Sequence, residues 1–277
     1  MMTLNILSTI SQYDPSPTAV TSSIPKMASL IDPNIQADWQ LIQDYDPPDS
    51  AGTIDIFLCE ISGTWDRDAV STEELERAAR LYPPVAHQFL AARTCLRHIL
   101  SRKIGTPPSR IDIRLADSGK PMLCGQDAIN FSLSHSGRFI LVGTSNVSPI
   151  GVDIQDTTAR MHAEADDLVL SERELRMHGK HKQGLLFALW AKKEAAFKLS
   201  ADGSFDPRRI EILSGPPWPC EIAEIKTANQ YKRYPVFQLP AIDGYALAVA
   251  ISEFWQPFRL WRGNMQQYIK LSRQKLI

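Results

Sequence analysis

The 277-residue chain has no uninterrupted apolar run of the roughly 18 residues that a membrane-spanning helix needs. Its first residues, MMTLNILSTISQYDPSPTAV, lack the basic start and continuous apolar core of a secretory signal. Four cysteines (Cys59, Cys95, Cys124 and Cys220) form no CxxC pair, which excludes zinc-finger spacing and points to buried free thiols in a reducing cytosol. Thirty basic side chains against 31 acidic ones leave a net charge of −1, so no broad affinity for nucleic acid or anionic membrane is expected. Phosphate recognition, if present, must come from a few placed cations. Neither GxxxxGK[ST] nor a GxSxG elbow occurs, which leaves P-loop and α/β-hydrolase chemistry without a motif. The expectation is a cytoplasmic protein without membrane or nucleic-acid partners.

What is present is ordinary globular material, 44% hydrophobic and 22% charged, long enough for one large domain or two modest ones. Residues 1–50 are rich in Ser, Thr, Pro and Asp and run into the turn PPDSAG (47–52), which reads as a poorly ordered or loosely docked extension. TIDIFLC (53–59) alternates like a strand. STEELERAARLY (71–82) opens like a capped helix at Ser71 or Thr72, and PPVAHQFLAARTCLRHIL (83–100) has a helical apolar face, with Arg93 and Arg97 on another side. Strand patterns follow at 110–116, 128–136, 138–145 and 150–155, then a capping box at Ser171 and Glu174 and a strong helix over 184–200. Four more strand patterns lie at 209–213, 221–228, 235–240 and 245–252, and Glu253 to Ile277 reads as a partly basic amphipathic helix or loose end. The predicted class is α+β in two similar halves, 51–148 and 149–253, with a tail over 254–277.

Three stretches carry chemistry. In GLLFALWAKKEAAFKLS (184–200), Trp190, Glu194 and Lys198 recur every four residues and share one side of a helix. Glu194 and Lys198 are either a solvated i,i+4 pair or a charged pair at the margin of a core. In IGVDIQD (150–156), Asp153 shares a strand face with Gln155, opposite Val152 and Ile154. It either caps the following turn or ligates a hard cation, because Mg²⁺ takes one or two carboxylates together with phosphate and water. In NFSLSHSG (130–137), Ser134 and His135 stand at a strand end before Gly137, a place for a structural histidine or a phosphate cradle. A Ser-His-Asp hydrolase is disfavoured, since adjacent Ser and His on a strand point to opposite faces. His162, His178 and His181 sit among Glu164, Glu172 and Lys180 and read as solvated surface.

Taken in order, GKP (119–121), NFSLSHSG (130–137), IGVDIQ (150–155) and WAKKEAAFK (190–198) resemble the surfactin-type 4′-phosphopantetheinyl transferases. The resemblance covers roughly residues 53–252. It implies a pseudo-dimer of two α/β halves with the active site in the cleft between them. The implied reaction is transfer of the 4′-phosphopantetheine arm from coenzyme A to a serine of an apo acyl- or peptidyl-carrier protein, releasing adenosine 3′,5′-bisphosphate. It further implies Mg²⁺ or Mn²⁺ held by Asp153 and Glu194, Glu194 as base, and Lys198 with Lys193 on the phosphates. Coenzyme A would be bound by Gly119, Lys120, Pro121, Ser134 and His135. A monomer suffices for this, and the carrier would meet residues 160–185. Two departures stand out. Gln155 occupies the place of the family's second acid, weakening the metal site or substituting a water. The stretch PPVAHQFLAA before Arg93 lacks the basic residues that some members use on the nucleotide phosphates, which leaves His87, Arg80 or Arg93 as substitutes. The alternative to a working enzyme is a degenerate homologue that only binds coenzyme A or a carrier domain.

Overall fold

The computed structural model describes residues 38–46, 52–116, 118–125, 129–159, 165–178, 183–201, 205–214, 220–227, 230–240, 242–252 and 258–273. In chain order come β1 (Gln40–Leu41), β2 (Ile54–Glu60), α1 (Thr72–Ala78), α2 (Pro83–Ile104), β3 (Ile113–Leu115), β4 (Pro121–Leu123), β5 (Asn130–Ser136) and β6 (Phe139–Ser145). Then follow β7 (Ile150–Asp156), α3 (Ala165–Val169), α4 (Glu172–His178), α5 (Gln183–Ser200), β8 (Ile210–Leu213) and β9 (Glu221–Lys226). The last are β10 (Tyr231–Gln238), β11 (Tyr245–Ile251), β12 (Phe258–Asn264) and α6 (Met265–Arg273). No described helix is long and apolar enough to cross a membrane. These elements fall into two compact units. One joins Ala37–Val147 to Phe258–Ile277, and the other is built from Ser148–Pro257.

The first unit has a mixed five-stranded sheet in the order β1-β12-β2-β6-β5, beside a β3–β4 hairpin. Its helix α1 starts with the expected capping box: Ser71 Oγ accepts the Glu74 N–H, and Glu74 Oε2 accepts the Ser71 N–H at 2.9 Å. Helix α2 starts on Pro83 and Pro84, where a missing N–H is harmless, and stops at Gly105, whose φ of +68° suits a left-handed cap. Ala91, Cys95, Leu96 and Ile99 of α2 pack on Phe57, Ile140 and Val142 of the sheet.

The two ends of the chain depart from the sequence reading. Residues 38–46, assigned to a loose extension, place Ile42 and Tyr45 in the core, the Tyr45 ring edge-on to Phe57 and Trp261 at 5.1 Å each. Residues 1–37 lie outside the described residues. The tail, expected as an amphipathic helix or loose end, does form a helix, α6, but first supplies β12, inserted between β1 and β2. Its strand signal was masked by Arg259 and Arg262. Arg259 is accommodated because buried Asp55 accepts its Nε at 2.7 Å, along with Lys103 at 2.6 Å and the Trp261 indole at 3.1 Å. Cysteine burial holds for Cys59 and Cys95, but Cys220 is partly exposed and Cys124 exposed, at the end of the short β4 hairpin arm.

Helix α6 is fastened through His98 of α2, whose ring lies between Asp66 Oδ2 at 3.0 Å and Ser272 Oγ. Arg273 also reaches Asp66, at 2.8 Å. Burial pushes the His98 imidazole below its ordinary 6.5, against the opposing pull of Asp66. A depressed histidine means that the unfolded chain binds the proton first, so stability is lost as pH falls below about 6.5 towards the folded value. Thermal unfolding between pH 7.5 and 5 is therefore expected to show a decline that His98→Gln flattens. Parallel slopes for the two proteins would remove His98 from the acid response.

The second unit is an antiparallel sheet in the order β7-β11-β10-β9-β8 with α5 laid across β7 and β11. The helix comes close because both surfaces are small. Ala191 and Ala195 face a stripe of Ala246, Ala248 and Ala250 on β11, all at most 5% exposed. On β7 the register sets Gly151, Asp153 and Gln155 opposite those alanines. A Cβ on Gly151 would stand 1.9 Å from the Ala195 carbonyl oxygen and 2.7 Å from the Leu199 nitrogen. Gly151 is thus required by the approach of the helix backbone. Gly151→Ala is expected to cost about 1–3 kcal/mol or more, since only a backbone shift relieves the clash. Chemical denaturation that leaves stability unchanged would show that α5 can retreat freely.

Candidate active site

The close approach of α5 to β7 brings together the residues that the sequence singled out. The stripe Gly151, Asp153, Gln155 points at the helix: the glycine admits it, and the two polar residues meet Glu194 and Lys198. Asp153 is 0% exposed, although its carboxylate is charged-capable and sits in an apolar strand. Its burial is made tolerable by donors on both oxygens. The Lys198 ammonium donates to Oδ1 at 2.7 Å, and the Gln155 amide donates to Oδ2 at 2.7 Å.

Glu194 completes the cluster. The Gln155 amide reaches its Oε2 at 3.4 Å, the Trp190 indole N–H donates to the same oxygen at 2.8 Å, and Lys198 lies 3.2 Å from Oε1. Trp190 is half-buried, edge-on to Phe205 at 5.6 Å, so it both packs and orients the acid. The i, i+4, i+8 stripe therefore has a single purpose at this point: indole, carboxylate and ammonium in a row, facing Asp153 and Gln155. Burial alone would lower the Lys198 ammonium, but Asp153 and then Glu194 outweigh it and hold it above its ordinary value.

One ammonium spans carboxylates from a strand and a helix, so their oxygens converge on a common point. A hard cation fits such a donor set of two carboxylates and an amide, with phosphate and water completing its shell. Among the described residues no group of three or more His, Cys, Asp or Glu side chains lies together, and position 155 contributes an amide where a third acid would stand.

Lys193 departs from expectation. It is 0% exposed and turned away from Lys198, its ammonium donating to Glu174 Oε2, to the Val169 carbonyl at 2.8 Å and to the Pro207 carbonyl at 3.1 Å. All three protons are committed inside the unit, so it cannot serve phosphates. Neighbouring residues on a helix diverge by about 100°, which is why adjacency to Glu194 misled.

The remaining expected residues lie in the first unit. Gly119, with φ +79°, closes the β3–β4 turn, where the Ala116 N–H donates to the Lys120 carbonyl at 2.9 Å and Pro121 begins β4. Ser134 is buried and His135 exposed near the end of β5, the alternation expected of a strand. The Gln88 amide donates to the Gly137 carbonyl beside them at 2.9 Å. Arg93 and Arg97, read as one side of a helix, are both buried against Glu74 of α1. Arg97 also donates to the carbonyls of Pro108 and Ile111. Arg93 Nε and Nη1 are buried without a hydrogen-bond partner, and burial lowers its guanidinium below the ordinary value. Both arginines line a cavity of about 440 Å³ with Arg77, Arg114 and Phe89. Sequence reasoning named Arg93 but not Arg77 and Arg114, which join it only as lining of this one cavity, from α1, α2 and β3. His162 and His181 lie outside the described residues.

Residues 149–250 match the family model described as the 4′-phosphopantetheinyl transferase superfamily. The 4′-phosphopantetheinyl transferase HetI of Nostoc sp. is 32% identical over 202 residues, covering 69% of this chain and 82% of that protein. A 4′-phosphopantetheinyl transferase of Bacillus subtilis is 27% identical over 185 residues, covering 59% of this chain and 80% of that protein. Among solved structures, a holo-[acyl-carrier-protein] synthase of Thermotoga maritima aligns over 40% of this chain and 63% of its own, with 19% identity and a TM-score of 0.29. That last likeness is too slight to bear on the fold.

Proposed function

The chain belongs to the 4′-phosphopantetheinyl transferase family, and from that membership and the Asp153–Gln155–Glu194–Lys198 cluster we infer that it loads carrier proteins from coenzyme A. A serine hydroxyl of an apo acyl- or peptidyl-carrier protein attacks the β-phosphorus of coenzyme A. The new serine O–P bond forms as the bond to the bridging oxygen breaks, so phosphopantetheine passes to the serine and adenosine 3′,5′-bisphosphate departs.

Phosphoryl transfer asks a protein for positioning and charge neutralisation more than for covalent help. Glu194, oriented by the Trp190 indole and the Gln155 amide, takes the serine proton directly or through a water. Lys198 offsets negative charge on the phosphates. Asp153 and Glu194, with the Gln155 amide oxygen once the amide turns, would hold Mg²⁺ or Mn²⁺, which supplies further charge neutralisation on the phosphoryl oxygens. The convergence of two carboxylates on one cation, Lys198, is the observation that carries this assignment.

The nucleotide end of coenzyme A is assigned to the first unit, where Gly119, Lys120, Pro121, Ser134 and His135 form a turn and a strand end. Arg93 and Arg77, in the cavity beside Phe89, supply the cations that the sequence lacked elsewhere. The finer reading, a pseudo-dimer with coenzyme A taken up between its halves and a cytoplasmic monomer as the working form, rests on the family resemblance. Chromatography of a mixture of the protein, coenzyme A, Mg²⁺ and an apo-carrier domain should show adenosine 3′,5′-bisphosphate released in step with carrier. No release with several acyl- and peptidyl-carrier domains would overturn the reading. Arg93→Ala is expected to raise the KM for coenzyme A about tenfold while kcat holds, the signature of lost ground-state binding. An unchanged KM would remove the arginine cavity from the coenzyme site.

A further inference from the structure

The proposed chemistry leaves one buried ion pair unused. Lys193 and Glu174 meet where α3, α4, α5 and β8 converge. Glu174 Oε2 takes the Lys193 ammonium and the Ser171 N–H, and its Oε1 accepts the Ile212 N–H at 3.1 Å. Lys193 in turn holds the last carbonyl of α3, Val169, and the Pro207 carbonyl ahead of β8. Every proton of the ammonium and both carboxylate oxygens are engaged.

Such a pair is a poor source of stability, because the desolvation of two charges offsets much of their attraction. An apolar pair of similar volume would fill the same space. What the ions add is direction: five fixed hydrogen bonds set one rotation of α5 about its axis and one distance from α3 and α4. Lys193 is the chain neighbour of Glu194. The apolar cluster of Val169, Leu170 and Leu186 that the pair draws together also packs against Trp190, whose indole orients Glu194. The rotation of α5 thus decides where the indole and carboxylate point.

We propose that the Lys193–Glu174 pair is a positioning device for the transferase site, fixing the rotation of α5 so that Trp190 and Glu194 face Asp153. The inference rests on the transferase reading, but one arm of its test does not. Lys193→Met alone strands a buried carboxylate and is expected to unfold easily, so the informative variant is Lys193→Met/Glu174→Gln. It carries no buried charge and retains an amide oxygen for one of the two backbone donors, the Ser171 or the Ile212 N–H. Its thermal midpoint should recover above that of Lys193→Met. Its kcat should nevertheless fall about tenfold to a hundredfold, with the KM for coenzyme A unchanged, as misplacement of reacting groups does. The indole N–H resonance of Trp190, assigned by its loss in Trp190→Phe, should shift in the double variant without any substrate present. An unmoved indole resonance overturns the inference. So does a kcat within about twofold of the parent, where positioning losses should be far larger. If the parent itself fails to load any carrier, the transferase reading falls, and the indole resonance alone decides whether the pair positions the helix.

Discussion

Replacing Glu194 with glutamine is expected to reduce phosphopantetheine transfer about 10²- to 10⁴-fold, the range over which a positioned general base acts. The substitution preserves side-chain volume at a half-buried position, so circular dichroism and the thermal midpoint should stay close to those of the parent. What changes is the hydrogen-bond arithmetic. Glu194 Oε2 accepts from Trp190 at 2.8 Å and lies 3.4 Å from the Gln155 amide, while Oε1 lies 3.2 Å from Lys198. A glutamine offers one acceptor in place of two and turns an N–H group towards one of those donors. The proton acceptor for the carrier serine is lost and so is half of the negative charge facing Lys198. Coenzyme A binding, assigned mainly to the first unit, should persist, so the loss belongs in kcat. Full activity in the variant would remove Glu194 from both the base and the metal assignments.

Gln155→Glu is expected to lower the Mg²⁺ concentration needed for half-maximal binding by about tenfold or more, because affinity for a hard cation rises with the number of charged oxygen ligands. The present amide donates to Asp153 at 2.7 Å and reaches Glu194 at 3.4 Å, so with Lys198 it satisfies both carboxylates. A cation entering between them competes with those N–H groups until the amide turns its oxygen inward. A carboxylate at 155 reverses this. It adds charge, offers no proton, and sets three acids around Lys198. The variant should therefore be less stable than the parent in chelator and gain more from added Mg²⁺, a comparison that thermal unfolding makes without reference to activity. Calorimetry giving the same Mg²⁺ affinity for both proteins would place position 155 outside the metal's reach.

The residues of the second unit were legible for a physical reason. Asp153 and Gln155 share a strand face, and Trp190, Glu194 and Lys198 share a helix face, by local geometry that a sequence states directly. Only the meeting of the two faces needed the fold, and Gly151 announces it, since a glycine on an apolar strand marks close backbone approach. Lys193 was misplaced because its partner, Glu174, is 19 residues away and its role depends on tertiary burial. The same limit hid the arginine cavity: Arg77, Arg93 and Arg114 come from three elements, with no common period. The C-terminal strand was missed because Arg259 and Arg262 flank Trp261, and the sequence does not reveal that buried Asp55 waits for Arg259. Charged residues with distant partners are where local reasoning ended.

The intact mass of an apo-carrier domain, weighed after incubation with coenzyme A and Mg²⁺, tests the central claim most directly when the parent and Glu194→Gln are run side by side. A gain of one phosphopantetheine with the parent and none in the same time with the variant is the expected result. Equal gain with both proteins, or no gain with either, would contradict the assignment of a transferase site to Asp153, Glu194 and Lys198.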